Sequence, residues 1–401
     1  MKKTKIFSVF ALLICCILIF TGCNLSFSGN GGNSGQSSSK YYSSKHYSEN
    51  ETLTIENEMN ASQIAQAYID ISFTIGIYQV EETTSNGKTT TTETLSSYGS
   101  GFVVHKGGFI LTNYHVIESA LANPEYSSNS LGTTKTSYKV YVSQDGGITN
   151  FKAEILWSNS MCDMAIIVCK DFATLPAAKL KDRTIYCKES EKIGLLETVI
   201  TVGNQKSYHA SATTGTISST QLRIASSSTN VYEHLIQHNA SINHGNSGGA
   251  LIDLNGNVIG LNTLGDDDAN SLFFAVSIYP AIVVLDKVVE NYYADGSTTK
   301  ELTLGITGID KDKDQLSGSS YNVSESGFYV TEAGSGCLIN GIQAGDYVVS
   351  VEITLADGTT SSLAIRDSNT LLYARMSLLY AQSAVFKIRR GGNIVSLTMN
   401  I

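Results

Sequence analysis

The chain has 401 residues, enough for two ordinary domains, and its 42% hydrophobic and 16% charged content excludes a disordered protein. A formal net charge of −9 with no dense Lys/Arg cluster excludes a nucleic-acid surface. The seven cysteines form no CxxC pair, so no zinc site is expected.

The N-terminus reads as a targeting segment. Lys2, Lys3 and Lys5 precede an apolar run from Ile6 to Phe20 that is too short for a comfortable membrane span. Phe20-Thr21-Gly22-Cys23 follows and resembles a bacterial lipobox, with Phe where Leu is usual. That resemblance implies cleavage after residue 22 and lipidation of Cys23. Removal of three lysines takes the net charge from −9 to −12, so acidic lipid would not attract the mature chain and the lipid itself is the anchor. Cys162, Cys169, Cys187 and Cys337 would remain as thiols, expected to be free core residues.

Residues 23–58 are rich in Ser, Gly, Asn and Tyr and read as a flexible tether. From about Asn60, Ile64, Ala65, Ala67 and Tyr68 share one face of a short helix. The polar run Thr83–Ser97 reads as a long loop. Gly101–Val104 and Phe109–Thr112 flank Lys106-Gly107-Gly108 as a hairpin. Strands are expected at Tyr138–Val142, Lys152–Trp157, Met164–Cys169, Thr198–Val202 and Leu235–Gln237. Asn255-Gly256 joins two more, Leu251–Leu254 and Val258–Leu261. Short strands at this spacing, with few helices, point to β-barrels over 59–296. A helix over Ile278–Tyr293 and the linker Asp295-Gly296-Ser297 close that region.

Residues 297–401 form a second domain. Leu304-Gly305-Ile306 and Gly327–Val330 read as strands, and Gly341–Val351 as a turn feeding a buried strand. Ser368 is placed to cap a helix over Asn369–Tyr380 with Leu372, Met376 and Leu379 on its apolar face. Val385–Ile388 and Val395–Ile401 form a closing hairpin.

Gly245-Asn246-Ser247-Gly248-Gly249 sets one serine among three glycines. A nucleophilic serine needs a sharply bent backbone, which glycine permits, and N–H groups converging on one point. Such a composition also suits a plain turn, so the chain must supply a base and an acid. Gly-x-Ser-x-Gly fits the α/β-hydrolase elbow, in which the histidine follows the serine. All seven histidines (His46, His105, His115, His209, His234, His238 and His244) precede Ser247, which excludes that order and leaves His, Asp, Ser. His115, in Leu111-Thr112-Asn113-Tyr114-His115-Val116, stands where a buried strand leaves the barrel and is the candidate base. His105 falls in a turn, His46 in the tether, and His244 is too near Ser247. Asp163, at the mouth of the buried strand Met164–Val168, is the candidate orienting acid.

Gly99-Ser100-Gly101-Phe102, Thr112–Val116, Cys162–Ile166, Thr214–Ser218 and Asn243–Gly249 together resemble the signature blocks of HtrA/DegP-type (DegS-like, single-PDZ) trypsin-like serine proteases. Leu304-Gly305-Ile306, Gly345-Asp346 and Arg390-Gly391-Gly392 resemble their PDZ domain. The resemblance implies a mainly β chymotrypsin/trypsin-like double β-barrel followed by one PDZ domain. His115 and Asp163 would lie on the first barrel and Ser247 on the second. It further implies an oxyanion hole from Gly245 and Ser247 with Asn246 in support, no metal or organic cofactor, and peptide binding by Leu304, Gly305 and Ile306. Unfolded envelope proteins would be the substrates, C-terminal peptides the PDZ ligands, a homotrimer the assembly, and the extracytoplasmic face of a bacterial envelope the location.

The chain departs from the family at His244 and Ala250, where Pro is usual, and at His238-Asn239, where Thr-Asp is usual. The His244 substitution is expected to relax the oxyanion-hole loop. The alternative is a chaperone-like or peptide-binding lipoprotein with a degenerate site; an intact His115, Asp163 and Ser247 argues against it.

Overall fold

The computed structural model describes residues 52–53, 59–129, 132–184, 187, 189–204, 210–225, 231–265, 272–299, 304–311, 327–355, 358 and 360–399. The expected signal segment, Cys23, most of the tether, His46, His209 and the acidic run Asp266–Asp268 lie outside these residues; of the tether, Thr52 and Leu53 are described, and the Leu53 N–H donates to the Ala177 carbonyl at 2.7 Å.

Helix α1 (Ala61–Ile69) starts at a capping box, with Asn60 and Gln63 side chains each taking the other's backbone N–H. Its buried face is Ile64, Ala65 and Tyr68. Barrel 1 follows: β1 (Ser72–Ser85), β2 (Lys88–His105), β3 (Phe109–Thr112), β4 (Glu125–Asn129), β5 (Gly132–Ser143), β6 (Phe151–Asn159) and β7 (Met164–Val168). The sheet runs β1-β2-β3-β7-β6-β5 and closes through β5 on β1, with β4 added outside β5. The single-turn helix α2 (Tyr114–Ile117) leaves β3.

Thr83–Ser97 is not a loop. It forms the arms of the β1–β2 hairpin around the two-residue turn Asn86-Gly87, with Ser85 paired to Lys88. Asn86 and Gly87 have φ of 50° and 74°, the left-handed pair such turns require. Polarity concealed the strands, whereas the β-branched threonines and the Asn-Gly step favour them. His105 is likewise not in the turn. It ends β2, buried, with its ring edge-on to Phe109 at 5.3 Å.

Barrel 2 comprises β8 (Thr198–Gly203), β9 (Ser211–Ala225), β10 (Val231–His238), β11 (Ala250–Asp253), β12 (Val258–Gly265) and β13 (Phe273–Ser277). It closes in the order β10-β13-β12-β11-β8-β9. Arg183 pins the connection between the barrels by reaching Glu197 at 2.9 Å and the buried Asp253 at 3.1 Å. Helix α3 (Tyr279–Asp295) ends at Gly296 in the left-handed conformation that terminates helices.

The C-terminal sheet comprises β14 (Ile306–Lys311), β15 (Gly327–Ala333), β16 (Tyr347–Leu355), β17 (Thr360–Ala364), β18 (Ala381–Arg390) and β19 (Asn393–Met399). Its order is β14-β15-β16-β18-β19, with β17 on β16. Helix α4 (Ser368–Ser377) is capped by Asp367, not Ser368: the Asp367 carboxylate accepts the Thr370 N–H at 2.7 Å. Aspartate one residue earlier reaches the third N–H of the helix, which is what a cap requires. Leu371, Ala374 and Leu378 enter the core of the C-terminal sheet, while Leu372, Tyr373 and Met376 enter the core shared with α3. Tyr279 and Tyr373 meet edge-on at 5.4 Å, and the Lys287 N–H donates to Tyr380 Oη at 2.6 Å.

Candidate active site

β3 and β7 are buried at every position, Phe109–Thr112 and Met164–Val168, so both are core strands held by apolar burial. They pair antiparallel, with Thr112 opposite Ala165. The end of β3 therefore lies beside the start of β7, which sets His115 and Asp163 on one rim of barrel 1.

Asp163 is 1% exposed, and its carboxylate accepts four contacts. Oδ1 takes the His115 backbone N–H at 3.0 Å and lies 3.0 Å from His115 Nδ1, while Oδ2 lies 2.9 Å from the same nitrogen. Oδ2 also accepts the Thr263 hydroxyl from barrel 2. This fixes the imidazole plane and places the ring proton on Nδ1, so Nε2 is left as a base. Asp163 itself has φ of 51°, a left-handed conformation that costs a non-glycine residue about 1–2 kcal/mol. Asn113 offsets that cost by donating its side-chain amide to the Asp163 carbonyl at 2.8 Å. Burial lowers the His115 pKa, but the hydrogen bond and charge of Asp163, with the charge of Glu118, outweigh it and hold the pKa above 6.5.

Ser247 lies in the loop between β10 and β11. Gly245 and Gly248 have φ of 101° and 87°, which bends the chain back on both sides of the serine. A Cβ on Gly248 would collide with the Ser100 carbonyl and come within 2.6 Å of Thr112 Oγ1, so only glycine lets the loop approach barrel 1 this closely. Ser100 fastens it there. Its N–H donates to the Ser247 carbonyl at 2.7 Å and its hydroxyl to the Gly245 carbonyl at 2.6 Å. Among the described residues no acceptor takes the N–H of Gly245 or Ser247. The Asn246 N–H is instead turned to the Asn243 carbonyl at 3.0 Å, and its side chain is buried, so Asn246 shapes the loop. His244 is exposed.

The Ser247 hydroxyl donates to the Thr263 carbonyl at 3.2 Å, and no hydrogen bond joins it to His115. His115 and Asp163 are thus joined, while the Ser247 hydroxyl rests on its own barrel. His238 is fully buried beside Phe273, 6.2 Å between ring centroids, and burial depresses its pKa to about 4, opposed in part by Ala240 and Asn262. Among the described residues no group of three His, Cys, Asp or Glu side chains gathers closely enough for a metal ion.

Leu304, Gly305 and Ile306 lie far along the chain, where the C-terminal sheet begins. Gly305 has φ of 76°, and a Cβ there would meet Cys337 Cα at 2.7 Å. The Leu304 carbonyl accepts Leu338 N–H at 3.1 Å and the Gly305 carbonyl accepts Gly334 N–H at 2.9 Å. Beyond this turn, β14 is an edge strand with α4 packed beside it.

Sequence reasoning left three residues of the site without a role. Ser100 and Asn113 sat inside quoted motifs, and their hydroxyl and amide groups are the available signal. Thr263 carried none beyond being a hydroxyl residue at the end of a buried run.

The trypsin-like peptidase domain model matches residues 99–261. The serine endoprotease DegS of Escherichia coli (strain K12) is 29% identical over 266 residues, covering 64% of this chain and 66% of DegS. The periplasmic pH-dependent serine endoprotease DegQ of the same strain is 28% identical, covering 63% of this chain and 50% of DegQ. The chain thus spans less than two thirds of the length of these curated relatives. The solved HtrA-type protease AlgW with decapeptide shares the fold, with a TM-score of 0.54 at 20% identity over 85% of this chain and 98% of AlgW. Residues 99–261 thus match a trypsin-like peptidase domain, and they fold within the double barrel described above. More narrowly, the chain is similar to the HtrA/DegP-like trypsin-like serine endopeptidases.

Proposed function

We propose that this chain is an envelope serine endopeptidase that cleaves unfolded or regulatory proteins through His115, Asp163 and Ser247. The observation that carries this reading is the carboxylate of Asp163 gripping the backbone N–H and the ring Nδ1 of His115 beside a glycine-bent serine. Ser247 Oγ adds to the scissile carbonyl while His115 Nε2 takes its proton. The oxyanion is held by the N–H groups of Gly245 and Ser247. Asp163 stabilises the imidazolium, which then protonates the leaving amine as the C–N bond breaks. Water, deprotonated by His115, hydrolyses the acyl-serine ester and regenerates the enzyme.

The proposal includes a protease domain over 59–296, a PDZ domain over 297–401 that takes C-terminal peptides at Leu304-Gly305-Ile306 and the β14 edge, a Cys23 lipid anchor on the outer face of a bacterial membrane, and a homotrimer. Relatives named as periplasmic support the extracytoplasmic location. The test is casein cleavage by the mature chain against Ser247→Ala. Loss of hydrolysis in the variant supports the assignment, and equal activity in both overturns it.

One observation favours a second reading. Because Ser247 donates to Thr263 and not to His115, the nucleophile needs a rotation before it can react. In a dedicated signalling protease that rotation follows peptide binding at the C-terminal sheet, which α4 and α3 connect to the barrels. Fluorophosphonate labelling of Ser247 with and without C-terminal peptides separates the two. A rate that rises with peptide favours the regulated enzyme, and an unchanged rate favours the constitutive one.

A further inference from the structure

The β1–β2 hairpin carries a long strand edge that no strand covers, and that edge leads to the nucleophile. In a two-residue hairpin the residues closing the turn, here Ser85 and Lys88, exchange both backbone hydrogen bonds. Alternation along an antiparallel ladder then fixes the direction of every later group. Lys88, Thr90, Thr92 and Thr94 turn their N–H and C=O groups to Ser85, Thr83, Glu81 and Gln79 of β1. Thr89, Thr91, Glu93 and Leu95 turn theirs to the opposite edge. β3 meets β2 only from Phe102 to His105, so among the described residues no strand pairs with that edge from Lys88 to Leu95. Lys88–Thr94 are exposed throughout.

The strand continues into the site. Ser100 donates to the Ser247 carbonyl at 2.7 Å, and a Cβ on Gly99 would lie 2.9 Å from that same carbonyl oxygen. It would also lie 2.5 Å from Val116 Cγ2, the residue after the base. His115 protonates the departing amine, so the part of a substrate C-terminal to the scissile bond must leave on the barrel 1 side, past Val116 and Gly99. A chain leaving that way runs antiparallel to β2, the direction its free edge can pair.

We infer that the outer edge of β2 over Thr89–Leu95 is a docking strand for the C-terminal half of an extended polypeptide substrate. The inference rests on the serine-protease reading above. The eleven steps from Thr89 to Ser100, at about 3.3 Å each, reach roughly 35 Å from the nucleophile, room for on the order of ten substrate residues. Charge gives the edge little selectivity, because Glu82 and Glu93 are paired with Lys135 and Lys139 at 2.9 Å and 2.5 Å. Recognition through main-chain hydrogen bonds and threonine hydroxyls accepts an unfolded chain of any sequence and refuses a folded one. An edge this long and this lightly charged is otherwise an aggregation liability, which a regular occupant would mask.

The test uses quenched fluorescent peptides with one scissile bond, a constant N-terminal half and three, six or twelve residues C-terminal to the bond. The docking strand predicts a kcat/KM at least tenfold higher for twelve residues than for three. N-methylation of alternate amides in the C-terminal half should remove that gain with the native enzyme. Thr91→Pro deletes one outward N–H and leaves the inward ladder in place, so it should lower the ratio of long to short substrates, whereas Thr91→Ala should not. Equal kcat/KM at all three lengths overturns the docking strand and leaves the protease reading standing. Absence of cleavage at every length, with and without a C-terminal peptide present, overturns both.

Discussion

The two barrels contribute to the site in opposite ways. Barrel 1 supplies a rigid half. His115 and Asp163 stand at the ends of fully buried paired strands, and three hydrogen-bond partners converge on one carboxylate. Barrel 2 supplies a half built from backbone. Ser247 sits on a glycine bend whose closest anchor, Ser100, belongs to the other barrel, and its hydroxyl points to Thr263. A base can be placed by a core, because burial fixes strand register. A nucleophile with an oxyanion hole needs unpaired N–H groups, and those exist only where regular structure stops. The backbone that carries the serine is therefore fastened at the seam between the barrels, while its hydroxyl is held within barrel 2.

The harshest break falls on the rigid half. Asp163→Asn keeps the size of the side chain but presents an amide in place of an acceptor-only carboxylate, so the ring proton of His115 can shift to Nε2. Loss of the required tautomer costs on the order of 10⁴-fold in kcat for a trypsin-like triad. The same fall is expected here, with the thermal midpoint little changed, and steady-state kinetics beside calorimetry checks both. If activity fell less than tenfold, the assembled acid–base pair would not be the catalytic half.

Acidification separates the halves. On barrel 1, Asp163 holds the His115 pKa above 6.5, and only the neutral ring is a base. Activity should therefore fall as pH drops through that raised value, before the fold is affected. On barrel 2, burial holds His238 neutral, with a folded pKa of about 4 against 6.5 when unfolded. The unfolded chain binds this proton first. The stability from a neutral His238 is present above pH 6.5 and lost progressively as pH falls toward 4, about 3 kcal/mol in all. Urea unfolding at pH 7, 5.5 and 4 measures it. His238→Gln should flatten the slope between pH 6.5 and 4, and an unchanged slope would assign the acid sensitivity elsewhere.

The same contrast marks what was legible in the sequence. The core strands of barrel 1 carry apolar runs, so Phe109–Thr112 and Met164–Val168 could be read directly, and with them the positions of His115 and Asp163. The order of histidines before Ser247 excluded a competing hydrolase topology without any structure. Thr83–Ser97 was misread because an exposed edge strand has no apolar face to alternate; its pairing is set by threonine propensity and the Asn86-Gly87 turn. Thr263 escaped because its role is a contact between residues 100 positions apart. The resting bond from Ser247 to Thr263 is a rotamer, and no pattern of residue types encodes it.

The smallest expected effect probes the seam itself. The Ser100 hydroxyl donates to the Gly245 carbonyl at 2.6 Å and accepts the Asn204 N–H at 2.7 Å, both buried. Ser100→Ala leaves that carbonyl and that N–H without partners, at roughly 1–3 kcal/mol for each desolvated group if neither finds a new one. Gly245 would then be free to turn its peptide plane, and its N–H would leave the position where an oxyanion forms. The expected result is a fall in kcat of about tenfold, with less change in KM, because the contact matters only once charge develops. Ser100→Thr keeps the hydroxyl and should recover most of the loss if the extra methyl is accommodated. A fall confined to KM would show that Ser100 positions substrate, and the oxyanion loop would then have to be held by barrel 2 alone.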